Sequence, residues 1–418
     1  MARGAGSAVR ARVVEEAPAS AEDRKKPPVK QDVHKEDAAP KQEAAPSSTP
    51  KPKKQPTVTK GTDLQDVYQP ASQSASLGTL IPKNMAAPIR DALENLREKH
   101  GDIDAFVAKE LGYKDAAELA GRFAGEQVDA IALAIDNMSR GAGFITGDQT
   151  GIGKGRVNAA IIRWAKRNGK TPVFVTMKPE LYADMLRDLN DIGETGFNPL
   201  PTNKLRGKNA IALPDGGKLE SPSNLDKVIA KAISQGKLEG FDGIFTTYSQ
   251  LAPSNGKDSP RRELLRSLNE NTVLILDESH NAGGSDKGKY KKKDAAKSTG
   301  SFLRERIAES PNGVFYSSAT YAKRPDVMSL YAKTGMQHAV EDLDQLTEIM
   351  SRGGIPMQQA VATMLTQAGQ YIRREKSFEG ATVDTVPAPV DMKVAERTAG
   401  IMGRIMAFDT AREGDIKN

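Results

Sequence analysis

The 418-residue sequence contains no cysteine, four scattered histidines (His34, His100, His280, His338) and one tryptophan, Trp164. Without thiols there is no disulfide framework and no thiolate metal centre, and isolated imidazoles argue against a His-based metal cluster. Aromatic residues make up 5% of the chain. That is little for a surface that reads bases by stacking, so contact with a nucleic acid would run through its phosphate backbone. No run approaches the roughly 20 apolar residues that cross a bilayer. The opening MARGAGSAVRARVVEE lacks the apolar core of a secretion signal. The expectation is a protein with no membrane partner, working inside a cell or packaged from one.

What is present is enough apolar sequence for a sizeable core. Hydrophobic residues make up 38% and charged residues 27%, which fits one to three domains. The net charge is +6, and the first 60 residues hold 13 Lys/Arg against 8 Asp/Glu, so the excess sits mainly in the tail. Such a tail fits an anionic partner such as nucleic acid, and equally a solubilising segment. Residues 1–75 are rich in Ala, Pro, Lys, Glu and Ser, with Tyr68 the first aromatic. They bury too little apolar surface to offset the entropy of ordering, and a disordered basic tail is expected. The patch Pro50-Lys51-Pro52-Lys53-Lys54 fits a charged linker better than an import signal or a nucleic-acid contact.

Residues 76–140 read as a helical region. Ile89, Leu93 and Leu96 share one face, as do Ile103, Phe106, Val107 and Leu111, and then Val128, Ile131, Ala132 and Ile135. From residue 141 to about 322 strands and helices alternate. Strands are expected at 143–146, 172–176, 243–247, 273–276 and 313–317, and helices at 157–167, 179–191, 224–234, 260–268 and 302–307. This is the pattern of an α/β fold, a parallel sheet with helices on both faces. Two segments read as inserts, 199–223 and the Lys-rich 283–300, whose lysines fit a nucleic-acid backbone or a solvated loop. Residues 323–418 read as a helical extension, with helices at 326–334, 343–350 and 357–370.

The segment GDQTGIGKGR, residues 147–156, lies between the first of these strands and a helix. Glycines let several backbone N–H groups converge on one anion, the helix N-terminus adds partial positive charge, and a lysine reaches the outer phosphates of a nucleotide. Asp148, Thr150, Gly151, Gly153, Lys154, Gly155 and Arg156 are therefore candidate nucleotide-binding residues. The usual Ser or Thr after the lysine is replaced by Gly155, so magnesium would lean on Asp277, on water or on a hydroxyl such as Thr150. The strand Val273-Leu274-Ile275-Leu276 runs into Asp277-Glu278-Ser279-His280. Asp277 is placed to hold Mg²⁺ and Glu278 to position the attacking water, the two roles phosphoryl transfer requires. In a parallel sheet both motifs fall at the carboxyl ends of strands and can converge. His280 with Ser318, Ala319 and Thr320, after the next strand, form a candidate relay of nucleotide state. Gln127 is placed to read an adenine edge, and Thr246, Thr247 and Tyr248 to meet a nucleic-acid phosphate.

Gln127, GDQTGIGKGR, FDGIFTTYSQL, LILDESH and FYSSAT occur in the order found in superfamily 2 helicases, and the chain resembles most closely the strawberry notch family of P-loop NTP hydrolases. Gly-Lys-Gly-Arg is that family's form of the loop, and LYADMLRDLNDIG and YIRREKSFEGATV look like its later segments, a similarity spanning roughly residues 75–395. The resemblance implies a RecA-like domain, ATP and Mg²⁺ as cofactors, and DNA, or RNA, as partner. The stretch from LGTLIPKNMAAPIRDALENL to GDIDAFVAKELGY looks like versions carried by phages and plasmids, some fused to methylases and used against host restriction. No methylase motif of the Asp/Asn-Pro-Pro-Tyr/Phe kind occurs. The implied setting is a bacterial cytoplasm, or a phage virion. Such motors use two RecA-like domains, and no second strand–helix series follows Thr320. The expectation is therefore a fragment, a chain completed by a second helicase half, or a binding module that does not translocate. The alternative expectation is a virion assembly protein that keeps the fold without turnover.

Overall fold

A computed structural model describes residues 63–253, 257–282, 298–319, 325–338, 343–377, 392–394 and 396–403. All of these fall within one compact unit, residues 55–418. The tail 1–62, most of the Lys-rich insert and Thr320 lie outside the described residues.

The chain enters as strands β1 (Gln65–Val67) and β2 (Thr79–Pro82), then four helices: α1 (Lys83–His100), α2 (Ile103–Leu111), α3 (Ala116–Ala120) and α4 (Gly125–Ser139). Asp102 and Asp115 cap α2 and α3 by accepting backbone N–H bonds from Ala105 and Glu118, satisfying donors that a helix start leaves open. The alternating part follows as β3 (Gly143–Thr146), α5 (Lys154–Arg167), β4 (Thr171–Thr176), α6 (Leu181–Asp191) and β5 (Pro199–Pro201). A two-stranded ribbon, β6 (Ile211–Ala212) and β7 (Lys218–Leu219), precedes α7 (Leu225–Gln235), β8 (Gly243–Thr247), α8 (Pro260–Ser267), β9 (Thr272–Asp277), α9 (Thr299–Glu309) and β10 (Val314–Ser317). The chain then runs through α10 (Leu343–Gln367) to β11 (Tyr371–Ile372) and β12 (Glu375–Lys376).

Seven strands form one sheet in the order β11-β3-β10-β9-β4-β8-β5, and every pairing is parallel. Strands such as PVFV and VLIL are apolar on both sides because helices cover both faces. The crossovers carrying α5 and α6 run one way along the sheet and those carrying α7, α8 and α9 run back. Right-handed connections place the two sets on opposite faces, and α5 packs on α6 while α8 packs on α7 and α9. Phe245, in the buried strand β8, has Phe174 and Tyr182 each at 5.4 Å and Phe197 at 5.8 Å between ring centroids.

Several sequence expectations change. Residues 63–75, assigned to the tail, include β1 and a loop that closes on buried Asp129, which accepts from Tyr68 Oη (2.7 Å), Ala71 N (2.9 Å) and Ser72 N (3.0 Å). Composition misses this because the partner lies about 60 residues away. The insert beginning at 199 starts with an edge strand, β5, where prolines are tolerated because one side needs no ladder bonds. The C-terminal extension is not wholly helical. Residues 325–331 form a 3-10 helix, α10 is two helices joined across a kink at Gly354 (φ 55°), and β11 completes the main sheet beside β3. β12 joins β1 and β2 in a second, three-stranded sheet. The divisions placed at 140 and 322 are therefore crossed by strands and packing.

Phe245→Ala should lower unfolding free energy by about 3–5 kcal/mol, the cost of a large aromatic cavity in a tight core. A urea denaturation midpoint at the unsubstituted value would contradict this packing.

Candidate functional site

Strand β3 ends at Thr146, and residues 147–153 curl over its carboxyl end into α5. Gly153 has φ 88°, a left-handed conformation, and a Cβ there would lie 2.2 Å from Gln127 Nε2, so glycine is required both by the turn and by the close approach. Lys154, the first residue of α5, folds over the loop and donates to the Asp148 carbonyl at 2.8 Å. The loop, α5, α6 and the end of β9 enclose a cavity of about 580 Å³ bordered by Gly151, Lys154, Asn158, Asp188, Asp277 and Glu278. Thr150, Gly153, Gly155 and Arg156 also border it, and Arg156 is tied to Asp191 at 3.0 Å and to the Arg122 carbonyl at 3.1 Å.

Asp277 closes β9. Its Oδ2 accepts from Thr176 Oγ1 at 2.9 Å and its Oδ1 from Asn158 Nδ2 at 3.3 Å. Burial pushes its carboxyl above the usual range, countered by the Thr176 hydroxyl. Tyr248 Oη donates to the Asp277 carbonyl at 2.8 Å. Glu278 adopts φ 46°, alone among the described non-glycine residues in positive φ, a conformation that costs about 1–3 kcal/mol and clusters at functional sites. Its Oε2 lies 3.3 Å from His280 Nδ1, and the same nitrogen lies 2.9 Å from Ser318 Oγ. His280 thus lies between Glu278 and Ser318 at the end of β10. Ala319 follows without a described polar contact.

Five candidates make other contacts. Asp148 does not border the cavity; it is buried beneath the loop and clamped by Arg374, with Nε to Oδ1 at 3.0 Å, Nη2 to Oδ2 at 2.6 Å and the Arg374 backbone N to Oδ1 at 2.9 Å. Burial opposes the Arg374 charge, the Asp148 carboxylate outweighs it, and the guanidinium sits above its ordinary pKa. The backbone completes the clamp, since Gly147 N donates to Ile372 O (2.7 Å) and Gln149 N to Arg374 O (2.8 Å). Gln127 also holds the loop: Nε2 donates to Ile152 O at 2.9 Å and Oε1 accepts from Ala124 N at 3.1 Å. With both ends of the amide engaged, its described role is to fix the loop.

Thr246 and Thr247 are buried rather than presented to a partner. Thr246 Oγ1 accepts from Thr202 Oγ1 at 2.7 Å, and Thr247 Oγ1 pairs with Ser249 Oγ at 2.9 Å. Buried hydroxyls at strand ends need partners within the chain. Tyr248 points at the Asp277 carbonyl for the same reason. Residues that sequence reasoning missed are Asn158 and Thr176, which orient Asp277, and Arg374, which no local pattern links to a loop 226 residues earlier.

Among the described residues no cluster of three or more His, Asp or Glu forms a metal cage. The site instead offers Asp277 and a buried Asn158 whose Oδ1 has no partner. A few oxygen donors of this kind suit Mg²⁺, which takes its remaining ligands from phosphate and water.

A Gly-rich loop entering a helix, a lysine over it and an Asp-Glu pair on a neighbouring strand of a parallel sheet define a RecA-like P-loop nucleoside triphosphatase. The profile of the family described as P-loop containing NTP hydrolase pore-1 matches residues 111–397, and the chain belongs to that family. It is similar to protein FORGETTER 1 of Arabidopsis thaliana, 28% identical over 273 residues, which is 60% of this chain and 18% of that one. It is also similar to protein strawberry notch of Drosophila melanogaster, 28% identical over 59% of this chain and 14% of that one. Strawberry notch homolog 1 of Gallus gallus is 30% identical over 58% of this chain and 18% of that one. The chain spans less than a fifth of the length of these relatives. Among solved structures, the Sulfolobus solfataricus SWI2/SNF2 ATPase core in complex with dsDNA covers 68% of this chain, with 53% of that chain matched, 14% identity and a TM-score of 0.40.

Arg374→Ala should destabilise the fold by about 3–5 kcal/mol, because it strands a buried carboxylate. Arg374→Lys should recover only part of this, having no second arm for a bidentate pair. Thermal unfolding checks both, and wild-type melting of Arg374→Ala would show that the clamp contributes nothing.

Proposed function

We propose that the chain is a nucleic-acid-dependent ATPase, the first motor domain of a strawberry-notch-like superfamily 2 helicase. The observation that supports it most is the convergence of Lys154 and the Asp277-Glu278 pair on one cavity at the carboxyl end of a single parallel sheet. The N-terminus of α5, the loop N–H groups and Lys154 neutralise the β- and γ-phosphates. Asp277, oriented by Thr176, and Asn158 would hold the Mg²⁺ that accompanies ATP, which when bound neutralises charge spreading over the transferred phosphoryl group. Glu278 orients water in line with the γ-phosphorus and takes its proton as the new P–O bond forms and the bond to the β-phosphate oxygen breaks, giving ADP and phosphate. His280, between Glu278 and Ser318, carries the change at the γ-phosphate position to the end of β10.

Nucleic acid is the proposed partner, DNA before RNA, through backbone contacts in keeping with the basic tail and sparse aromatics. With Thr246–Tyr248 turned inward, its path belongs to exposed surface elsewhere at the carboxyl end of the sheet. The described residues hold one seven-stranded sheet. The arginines that a two-domain motor sets against the nucleotide would come from a second helicase half, in this protein or in another. The phage setting, in a bacterial cytoplasm or a virion, and a link to antirestriction rest on the resemblance of residues 77–113 and belong to the proposal.

ATP hydrolysis measured with and without single- and double-stranded DNA tests this reading. Lys154→Ala should abolish ATP binding. Glu278→Gln should bind ATP while losing turnover by about 100-fold or more. Wild-type hydrolysis by Glu278→Gln would sink the mechanism, and DNA-insensitive turnover would remove the nucleic-acid dependence.

A further inference from the structure

The phosphate loop lacks the hydroxyl that ordinarily follows its lysine, and the structure shows what stands in its place. A Cβ on Gly155 would lie 1.9 Å from Asp188 Oδ2 and 3.1 Å from Asp188 Cγ. A Cβ at that position would collide with the oxygen, so the Asp188 carboxylate occupies space that the side chain of a serine at 155 would need. Asp188 reaches this point from α6, a different element, with only 13% of its side chain exposed. Its Oδ1 accepts from Arg187 Nε at 3.2 Å and Nη2 at 3.0 Å. Among the described residues no hydrogen bond is made to Oδ2, which faces the first turn of α5. Asp188 borders the same cavity as Lys154, Asn158 and Asp277.

A second observation points the same way. Asn158 follows Gly155 by three positions and shares its face of α5. It is 2% exposed, and while its Nδ2 holds Asp277, its Oδ1 is buried with no partner. Asn158 borders the same cavity as Asp188 and Asp277, and its buried amide oxygen without a donor is an acceptor that a cation or its water can satisfy. The pair is unlike a helix cap, since neither oxygen of Asp188 accepts a backbone N–H of α5 among the described bonds.

We propose that Asp188 and Asn158 replace the missing loop hydroxyl, holding together with Asp277 the divalent cation that accompanies the bound nucleotide. The inference rests on the nucleotide-binding reading above. It also explains Gly155, because any side chain there would drive the Asp188 carboxylate out of the site. The consequence is that two helices, α5 and α6, are joined through the metal, where an ordinary loop supplies that ligand from within itself.

The test is equilibrium binding of a fluorescent ATP analogue to the full chain, in Mg²⁺ and in EDTA, with Mn²⁺ titrated separately by electron paramagnetic resonance in the presence of the analogue. Asp188→Asn should weaken Mn²⁺ binding, and the Mg²⁺-supported part of nucleotide binding, by about 10- to 100-fold. Its binding in EDTA should stay at the wild-type level. Gly155→Ser alone should show the same loss, and Gly155→Ser with Asp188→Ala, which restores a hydroxyl and clears its space, should recover most of the metal response. Asp188→Asn with a wild-type metal response would overturn the proposal while leaving nucleotide binding intact. Equal losses in Mg²⁺ and EDTA with a lowered melting temperature would also overturn it, reducing Asp188 to a packing residue. A wild-type chain that binds no nucleotide in either condition would overturn the nucleotide reading, and this inference with it.

Discussion

The ion pair between Arg374 and Asp148 is the contact on which the loop geometry depends. Both side chains are essentially sealed from solvent, and removing two charges from water costs several kcal/mol per ion before any is recovered. The cost is recovered because the guanidinium meets the carboxylate with two arms, stacks over the Tyr68 ring with its centre 4.9 Å from the centroid and donates a further bond to the Glu126 carbonyl. Tyr68 in turn donates to Asp129, whose carboxyl burial pushes up to about 6 against the pull of that same hydroxyl bond. Four parts of the chain meet in this network: the loop that follows β1, α4, the phosphate loop and the segment before β12. None of them can shift without leaving a buried charge unpaired.

That rigidity is what a phosphate site needs. Backbone N–H groups stabilise spreading negative charge only if they are already aimed when charge develops. The loop is held from below by Arg374, from behind by Gln127 and along its edge by the backbone of residues 370–376. Beside it, Asp277 is fixed through Thr176, Asn158 and Tyr248, and Glu278 is held in a backbone conformation that an unconstrained glutamate would leave. Strain at Glu278 and order around it belong together, because a strained residue persists only where its surroundings over-determine it.

The chemical motifs were legible in the sequence because their logic is local. A Gly-rich turn with a lysine before a helix, and four apolar residues ending in Asp-Glu, each follow from the geometry of a few consecutive residues, although α5 begins at Lys154, three residues earlier than expected. The five alternating strands were equally legible, since a strand buried on both faces must be apolar throughout. The other seven were not. β1, β2, β5, β6, β7, β11 and β12 are two to four residues long and have too little sequence to show a period, and β11 and β12 pair with partners far along the chain.

The sequence by itself determined the class of chemistry: a parallel α/β sheet, a phosphate loop and an acidic pair at its carboxyl end. Only the tertiary structure decided which polar residues near those motifs are exposed to a ligand and which are spent on the fold. Asp148 and Thr246–Tyr248 look like ligand contacts in the sequence, yet each is engaged by a partner within the chain, and Gln127 borders the cavity with its amide holding the loop. Asp188 and Asn158 look ordinary, yet they face the cavity. The reason is physical: a polar side chain inside a protein must find a partner, and which one it finds depends on elements hundreds of residues apart being packed together.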